Sequence, residues 1–162
     1  MRYKSLRRCG FFKLFIAYPE FRYQFFYRLR EHSKIWKFIL KPNQLFNSHN
    51  LYLNCDDIEG GLFIEHGFST IIACKHIGEN CWINQQVTIG YSDAKNCPFI
   101  GNDVQIKAGA KVIGNVQVGD DVIIGANAVV VKDVPSHSIV VGIPARVVKT
   151  RSSVSEPWKK IY

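Results

Sequence analysis

Through the second half of the chain aliphatic residues recur every six positions. Ile77, Ile83 and Ile89 open the series, and after one interruption it resumes at Ile100, Ile106, Val112, Val118, Ile124 and Val130. Four places further on in each hexad stands a small or β-branched residue: Cys81, Val87, Val104, Ala110, Val116, Val122, Ala128 and Val134. Gly78, Gly90, Gly101, Gly119 and Gly125 directly follow an aliphatic member. A helix brings apolar residues round every 3.6 positions and a strand every 2.0, so neither produces a period of six. A triangular parallel β-coil does: each face is one hexad, the aliphatic residue points inward, and glycine or a small residue turns the corner. Coils stacked about 4.8 Å apart then bury a continuous aliphatic column that one coil could not bury alone. An ordinary β-sandwich would instead show period-two runs.

The beat predicts a column from about Ile58 to Val134, roughly four coils of about eighteen residues each. The 162 residues divide accordingly. A basic aromatic segment occupies 1–50, the β-helix with an extruded loop at 90–99 occupies 51–135, and a cap and tail occupy 136–162. Short solenoids have exposed ends and flat sides, which makes self-association the expected remedy.

Charge separates the first segment from the rest. Residues 1–41 hold eleven Lys/Arg against two acids, whereas the remainder holds ten against eleven. The basic stretch is also aromatic, and we read it as two short helices, Glu20–Glu31 and Ser33–Leu40, broken from what precedes by Pro19 and closed by Pro42. Its aromatic face can pack on the first coil or on another subunit; a peripheral contact with an anionic membrane surface is the alternative. No nucleic-acid motif accompanies the charge, so nucleic acid is not expected as a partner. No run of eighteen apolar residues and no signal-peptide pattern is present. The five cysteines are odd in number and lack CxxC spacing, which suits a reducing cytoplasm better than disulfides or a zinc knuckle. The expected location is cytoplasmic.

Chemistry is expected where the beat fails, because a solenoid accommodates insertions only as loops at its corners. Eleven steps instead of six separate Ile89 from Ile100, extruding residues within Gly90–Phe99; thirteen instead of twelve separate Ile64 from Ile77. The second slip opens with Ile64-Glu65-His66-Gly67, and His66 is the candidate base.

These residues resemble a family. Ile-Glu-His-Gly at 64–67, Val-Thr-Ile-Gly at 87–90, Pro-Phe-Ile-Gly at 98–101, Ala-Gly-Ala-Lys-Val-Ile-Gly at 108–114 and the run from Val129 through Gly142-Ile-Pro-Ala-Arg146 to Val148 are similar to the serine acetyltransferase branch of the hexapeptide-repeat acyltransferases. The resemblance implies a left-handed parallel β-helix, a homotrimer, and acetyl transfer from acetyl-CoA to a hydroxyl, without a metal. Within that branch the short N-terminus and the loop ending Asn96-Cys97-Pro98, where serine acetyltransferases carry Arg-His-Pro, look closer to the small exopolysaccharide and colanic-acid-type O-acetyltransferases.

The implied mechanism is direct transfer, with His66 as general base. The acid that orients such a histidine falls by family register near Leu51, so Asp56, Asp57 or Glu65 would have to substitute. The acceptor would meet Tyr91, Lys95, Asn96 and Cys97. Acetyl-CoA would run beside Gly90, Ala108-Gly109 and Gly125-Ala126, with Lys132, Pro144 and Arg146 toward its phosphates and adenine. Cys97 could alternatively carry the acyl group, but no adjacent base is visible. Because the loop lacks the Arg-His pair that would meet a carboxylate, the expected acceptor is a sugar in surface-polysaccharide synthesis. L-Serine and a non-enzymatic scaffold remain the alternatives.

Overall fold

The structure, a computed structural model, describes residues 11–32, 35 and 50–161. The chain forms two compact units that divide at His49/Asn50.

The first unit contains helices α1 (Phe11–Ala17) and α2 (Pro19–His32). Only one helix was expected before Ser33, starting after Pro19. Instead Pro19 opens α2, a position where its missing N–H leaves nothing unpaired, and the preceding aromatic run is itself helical. Phe11, Phe15, Phe21, Phe25 and Phe26 stack or meet edge-on with ring centroids 5.4–5.9 Å apart. Much of the aromatic face is thereby satisfied between the two helices. The Arg22 guanidinium donates to the carbonyls of Phe15 and Ile16, both at 2.8 Å, and so closes the end of α1. The expected helix Ser33–Leu40 lies outside the described residues except for Ile35. Among the described residues no helix is long and apolar enough to cross a membrane.

The second unit is a parallel β-solenoid of about five turns. Its first face stacks β2 (Phe63–Ile64), β4 (Trp82–Ile83), β7 (Gln105–Ile106), β10 (Ile123–Ile124) and β12 (Ser138–Val141). The second carries β5 (Thr88–Gly90), β8 (Lys111–Ile113) and β11 (Val129–Val130); the third carries β6 (Phe99–Ile100) and β9 (Gln117–Val118). Strands β1 (Leu51–Ile58) and β3 (Thr70–Ile77) each run through the corner between the second and third faces, so β3 pairs with β5 by one half and β6 by the other. An antiparallel hairpin, β13 (Arg146–Thr150) and β14 (Lys159–Lys160), closes the first face.

Every hexad position named from the sequence is buried. Register aligns three inward columns: Ile64–Ile83–Ile106–Ile124–Val140, Leu53–Ile72–Ile89–Val112–Val130 and Ile58–Ile77–Ile100–Val118. The solenoid therefore begins at Leu51, at the start of the strand that ends at Ile58, where the beat placed the start of the column. Leu51, Leu53 and Cys55 are buried in alternation, because a strand that does not turn at its corner keeps period two.

The one-residue slip between Ile64 and Ile77 is the sum of two opposite ones. Ile64 to Ile72 takes eight steps and Ile72 to Ile77 five. The corner after β2 is distended, and the corner within β3 is cut away. On the next coil the extruded loop leaves directly above that cut corner, where the Lys75 N–H donates to the Pro98 carbonyl at 2.9 Å.

Candidate active site

Glu65 and His66 stand on the distended corner between the first and second faces. His66 takes φ of 53°. Left-handed corners are ordinary in this coil, since Asn80, Gln86, Asp103, Asp121 and Asn127 adopt them too, so the backbone angle does not set His66 apart. What does is the bulge around it: the Phe68 N–H turns back to the His66 carbonyl at 2.8 Å, and Ser69 is left-handed as well. The result is an exposed imidazole beside a buried glycine, Gly67.

The backbone ladder places Glu65, Asn84, Lys107 and Gly125 one above another, each N–H bonding the carbonyl before the next rung's residue. His66 thus shares its edge with Ala108, Gly109 and Ala126. The turn at Gly142–Ala145 caps that edge, bracketing Val129 through the Val129 N–H to Gly142 carbonyl bond at 3.0 Å and the Ala145 N–H to Val129 carbonyl bond at 2.8 Å. Pro144 and Arg146 are exposed there. These small residues leave the edge open.

Gly90, the loop and Lys132 lie at the opposite edge of the second face. Within one chain the structure therefore does not bring His66 to Tyr91, Lys95, Asn96 or Cys97. The loop is folded around Asp93, a residue the sequence reading passed over. Its Oδ1 accepts from the N–H groups of Lys95 (2.9 Å) and Asn96 (3.0 Å), and its Oδ2 from Asn96 Nδ2 at 2.6 Å. Those bonds, led by the Lys95 N–H, hold the Asp93 carboxyl below the usual range. The Ser-Asp pair opening the loop is the turn signal that could have found it. Interaction with Cys97 raises the Tyr91 phenol above its ordinary value.

None of the three acids offered for orienting His66 is bonded to its ring among the described residues. Glu65 Oε2 accepts from Asn84 Nδ2 at 3.2 Å. Asp57 Oδ2 lies 2.9 Å from Nδ1 of a different histidine, His76. Asp56 is exposed on β1. The structure instead supplies a cation that the sequence reading missed. Lys107 reaches Gln105 Oε1 at 2.9 Å, lies 4.4 Å from the centre of the Trp82 ring, and feels the Glu65 carboxylate. Burial pushes its ammonium below the ordinary lysine value, against the pull of Glu65. Being separated from His66 by 41 positions, it carries no local signal.

Two of the buried thiols, Cys74 and Cys81, are unsuited to nucleophilic work. Cys74 donates to Cys55 with the sulfurs 3.1 Å apart, and that bond together with burial pushes its pKa up. Burial pushes Cys81 up to about 12.

Residues 98–132 match the family described as bacterial transferase hexapeptide (six repeats), in agreement with the fold. A serine acetyltransferase of Synechococcus elongatus is 47% identical over 92 residues, 54% of this chain and 38% of that protein. One of Staphylococcus aureus is 50% identical over 93 residues, 54% of this chain and 43% of its own length. The chain spans about two fifths of the curated relatives it matches. The crystal structure of Neisseria gonorrhoeae serine acetyltransferase superposes with a TM-score of 0.69 at 26% identity, covering 91% of this chain and 62% of that one.

These relatives overturn the expectation of a sugar acceptor in polysaccharide synthesis, which rested on the short N-terminal segment and the loop. A neutral loop was taken to mean a neutral acceptor, but the loop is not the only surface facing it. Glu65 directly precedes His66, and Lys107, two rungs on, feels the Glu65 carboxylate.

Proposed function

We propose that the chain is an acetyl-CoA-dependent O-acetyltransferase whose acceptor is L-serine. The similarity to serine acetyltransferases at 47–50% identity over 92–93 residues carries this reading. The charges at the corner support it: an amino acid is a zwitterion, and Glu65 suits its ammonium as Lys107 suits its carboxylate. His66 accepts the proton of the acceptor hydroxyl as its oxygen attacks the thioester carbonyl. Backbone N–H groups at the corners stabilise the oxyanion. Collapse expels the thiolate of coenzyme A, which recovers the proton from the imidazolium.

The pantetheine arm runs along the small-residue edge of Ala108, Gly109, Gly125 and Ala126, toward Pro144 and Arg146. The loop at 91–98, with Tyr91, Lys95, Asn96 and Cys97, comes to His66 from a neighbouring copy in a homotrimer, together with that copy's Gly90 and Lys132. The single-chain geometry favours this, since His66 and the loop stand on opposite edges of one face.

The test is coenzyme A release from acetyl-CoA with L-serine, corrected for hydrolysis. A specificity constant of about 10⁴ M⁻¹s⁻¹ or more is expected, and no transfer to serine above hydrolysis would sink the proposal.

A further inference from the structure

Among the described residues, one group of three metal-ligating side chains lies away from the His66 corner. Asp57 is the last residue but one of β1, Glu59 follows the strand, and His76 sits one coil above in register with Asp57. Asp57 Oδ2 is 2.9 Å from His76 Nδ1, and Glu59 Oε1 is 3.9 Å from Nε2. One ligand atom from each residue comes within 4.8 Å of the other two. The imidazole is clamped on its face as well, stacked on Phe99 with centroids 4.4 Å apart and planes at 16°. Its side chain is only 16% exposed, whereas Asp57 is 66% and Glu59 42% exposed.

Backbone pairing holds all three. The Glu59 N–H donates to the Ile77 carbonyl at 2.9 Å, and Asp57 and His76 are ladder partners. The ligand set is therefore prearranged by the solenoid rather than by side-chain choice.

We propose that Asp57, Glu59 and His76 bind a divalent transition-metal ion of zinc's class. Zinc takes histidine nitrogen and carboxylate oxygen at about 2.0–2.2 Å, which puts the edges of a tetrahedral site at about 3.4 Å. The imidazole offers the ion one nitrogen, and the carboxylates now lie against different ones, Asp57 at Nδ1 and Glu59 at Nε2. With one ligand atom from each residue within 4.8 Å of the others, binding requires one exposed carboxylate to swing round to the nitrogen that faces the other. An imidazole between two carboxylates suits zinc better than calcium or magnesium, which want oxygen ligands throughout. Three protein ligands leave one position for water on the exposed carboxylate side. The bound ion joins the first coil to the second at the N-terminal end of the solenoid and fixes the ring against Phe99, where the extruded loop rejoins the coil.

The chain's thiols are the rival ligands, above all Cys97, so the experiment separates them. Full-length protein stripped with a chelator is titrated with Zn²⁺ by calorimetry and melted with and without it. One equivalent and a raised melting temperature are expected. His76→Gln, and separately Asp57→Asn with Glu59→Gln, should lose both effects, while Cys97→Ser keeps them. Co²⁺ titrated into the unmutated chain supplies a readout that needs no variant, and its spectrum should lack a thiolate charge-transfer band. Absence of saturable binding, binding that survives His76→Gln, or a thiolate band overturns the proposal.

Discussion

From Ile100 to Val130 the solenoid never misses a step, whereas from Leu51 to Phe99 it takes steps of eight, five and eleven while keeping the same three inward columns. In the regular region even the polar corners repeat. Asn102 Oδ1 accepts from the Glu79 N–H, Asp120 Oδ1 from Asn102, and Ser136 Oγ from Asp120, at 2.8, 2.6 and 3.0 Å. In the irregular region those roles give way to a distended corner, a corner cut away and an extruded loop. Packing fixes where each face must be but not how the chain passes between faces. Departures are therefore confined to corners, and His66, the loop, and the Asp57–Glu59–His76 cluster all belong to the irregular region.

That contrast breaks most decisively at His66. His66→Asn keeps a residue that tolerates the left-handed corner and removes the base. Turnover with acetyl-CoA and acceptor is expected to fall by about 10²–10⁴-fold, with circular dichroism and melting temperature nearly unchanged. An equal loss from Gln117→Ala, on an outward position of the regular region, would show that irregularity does not mark the chemistry.

The inward columns were legible because burial imposes the same residue class at a fixed interval, from Ile77 to Val130. Legibility ended where the interval changed for two reasons at once. The shift between Ile64 and Ile77 read as one residue, hiding Ile72 as an inward position and the first coil at Leu51 behind it. Neither charged set could be seen, because Lys107 meets Glu65, and His76 meets Asp57, only through stacking of coils. Cysteine spacing speaks only against a zinc knuckle and carries no signal for side chains that two rungs bring together. The acceptor expectation failed for a related reason, because neither the loop nor the N-terminal segment carries a signal of the charges that coil stacking couples at Glu65 and Lys107.

Glycines sharpen the comparison at a smaller scale. Gly101 has no positive φ, so alanine there is limited by space alone: its Cβ would stand 2.5 Å from Asp120 Oδ1 and 2.9 Å from the Gly119 carbonyl carbon. Gly101→Ala should cost about 1–3 kcal/mol, as overpacking does. Gly60 has nothing within 4 Å of an added Cβ, and Gly60→Ala should stay within about 0.5 kcal/mol of the parent. Urea midpoints at constant slope measure both, and equal costs would mean that crowding at the added Cβ does not set the cost at these corners.

The smallest effect concerns the far end of the regular region, where Asp121 is buried. It accepts from Arg151 through both oxygens, one bond being 2.7 Å from Nε, and lies 2.8 Å from His137 Nδ1. Arg151 in turn lies 4.2 Å from the centre of the Trp158 ring, which ties the C-terminal hairpin to the last corner. Burial is the largest single influence on the Asp121 carboxyl and pushes its pKa up, but the hydrogen bonds and charges of Arg151 and His137 together outweigh it and hold the group below the usual carboxylate range. A carboxyl whose folded value is depressed stabilises the fold fully above its unfolded value of about 3.9. That contribution fades as pH falls through the folded value, when the carboxyl takes up its proton. Asp121→Asn should accordingly melt below the parent at neutral pH, and the gap should narrow only under strongly acid conditions. A gap that stayed constant from pH 7 down to about 2 would mean that Asp121 serves the cap through shape and not through charge.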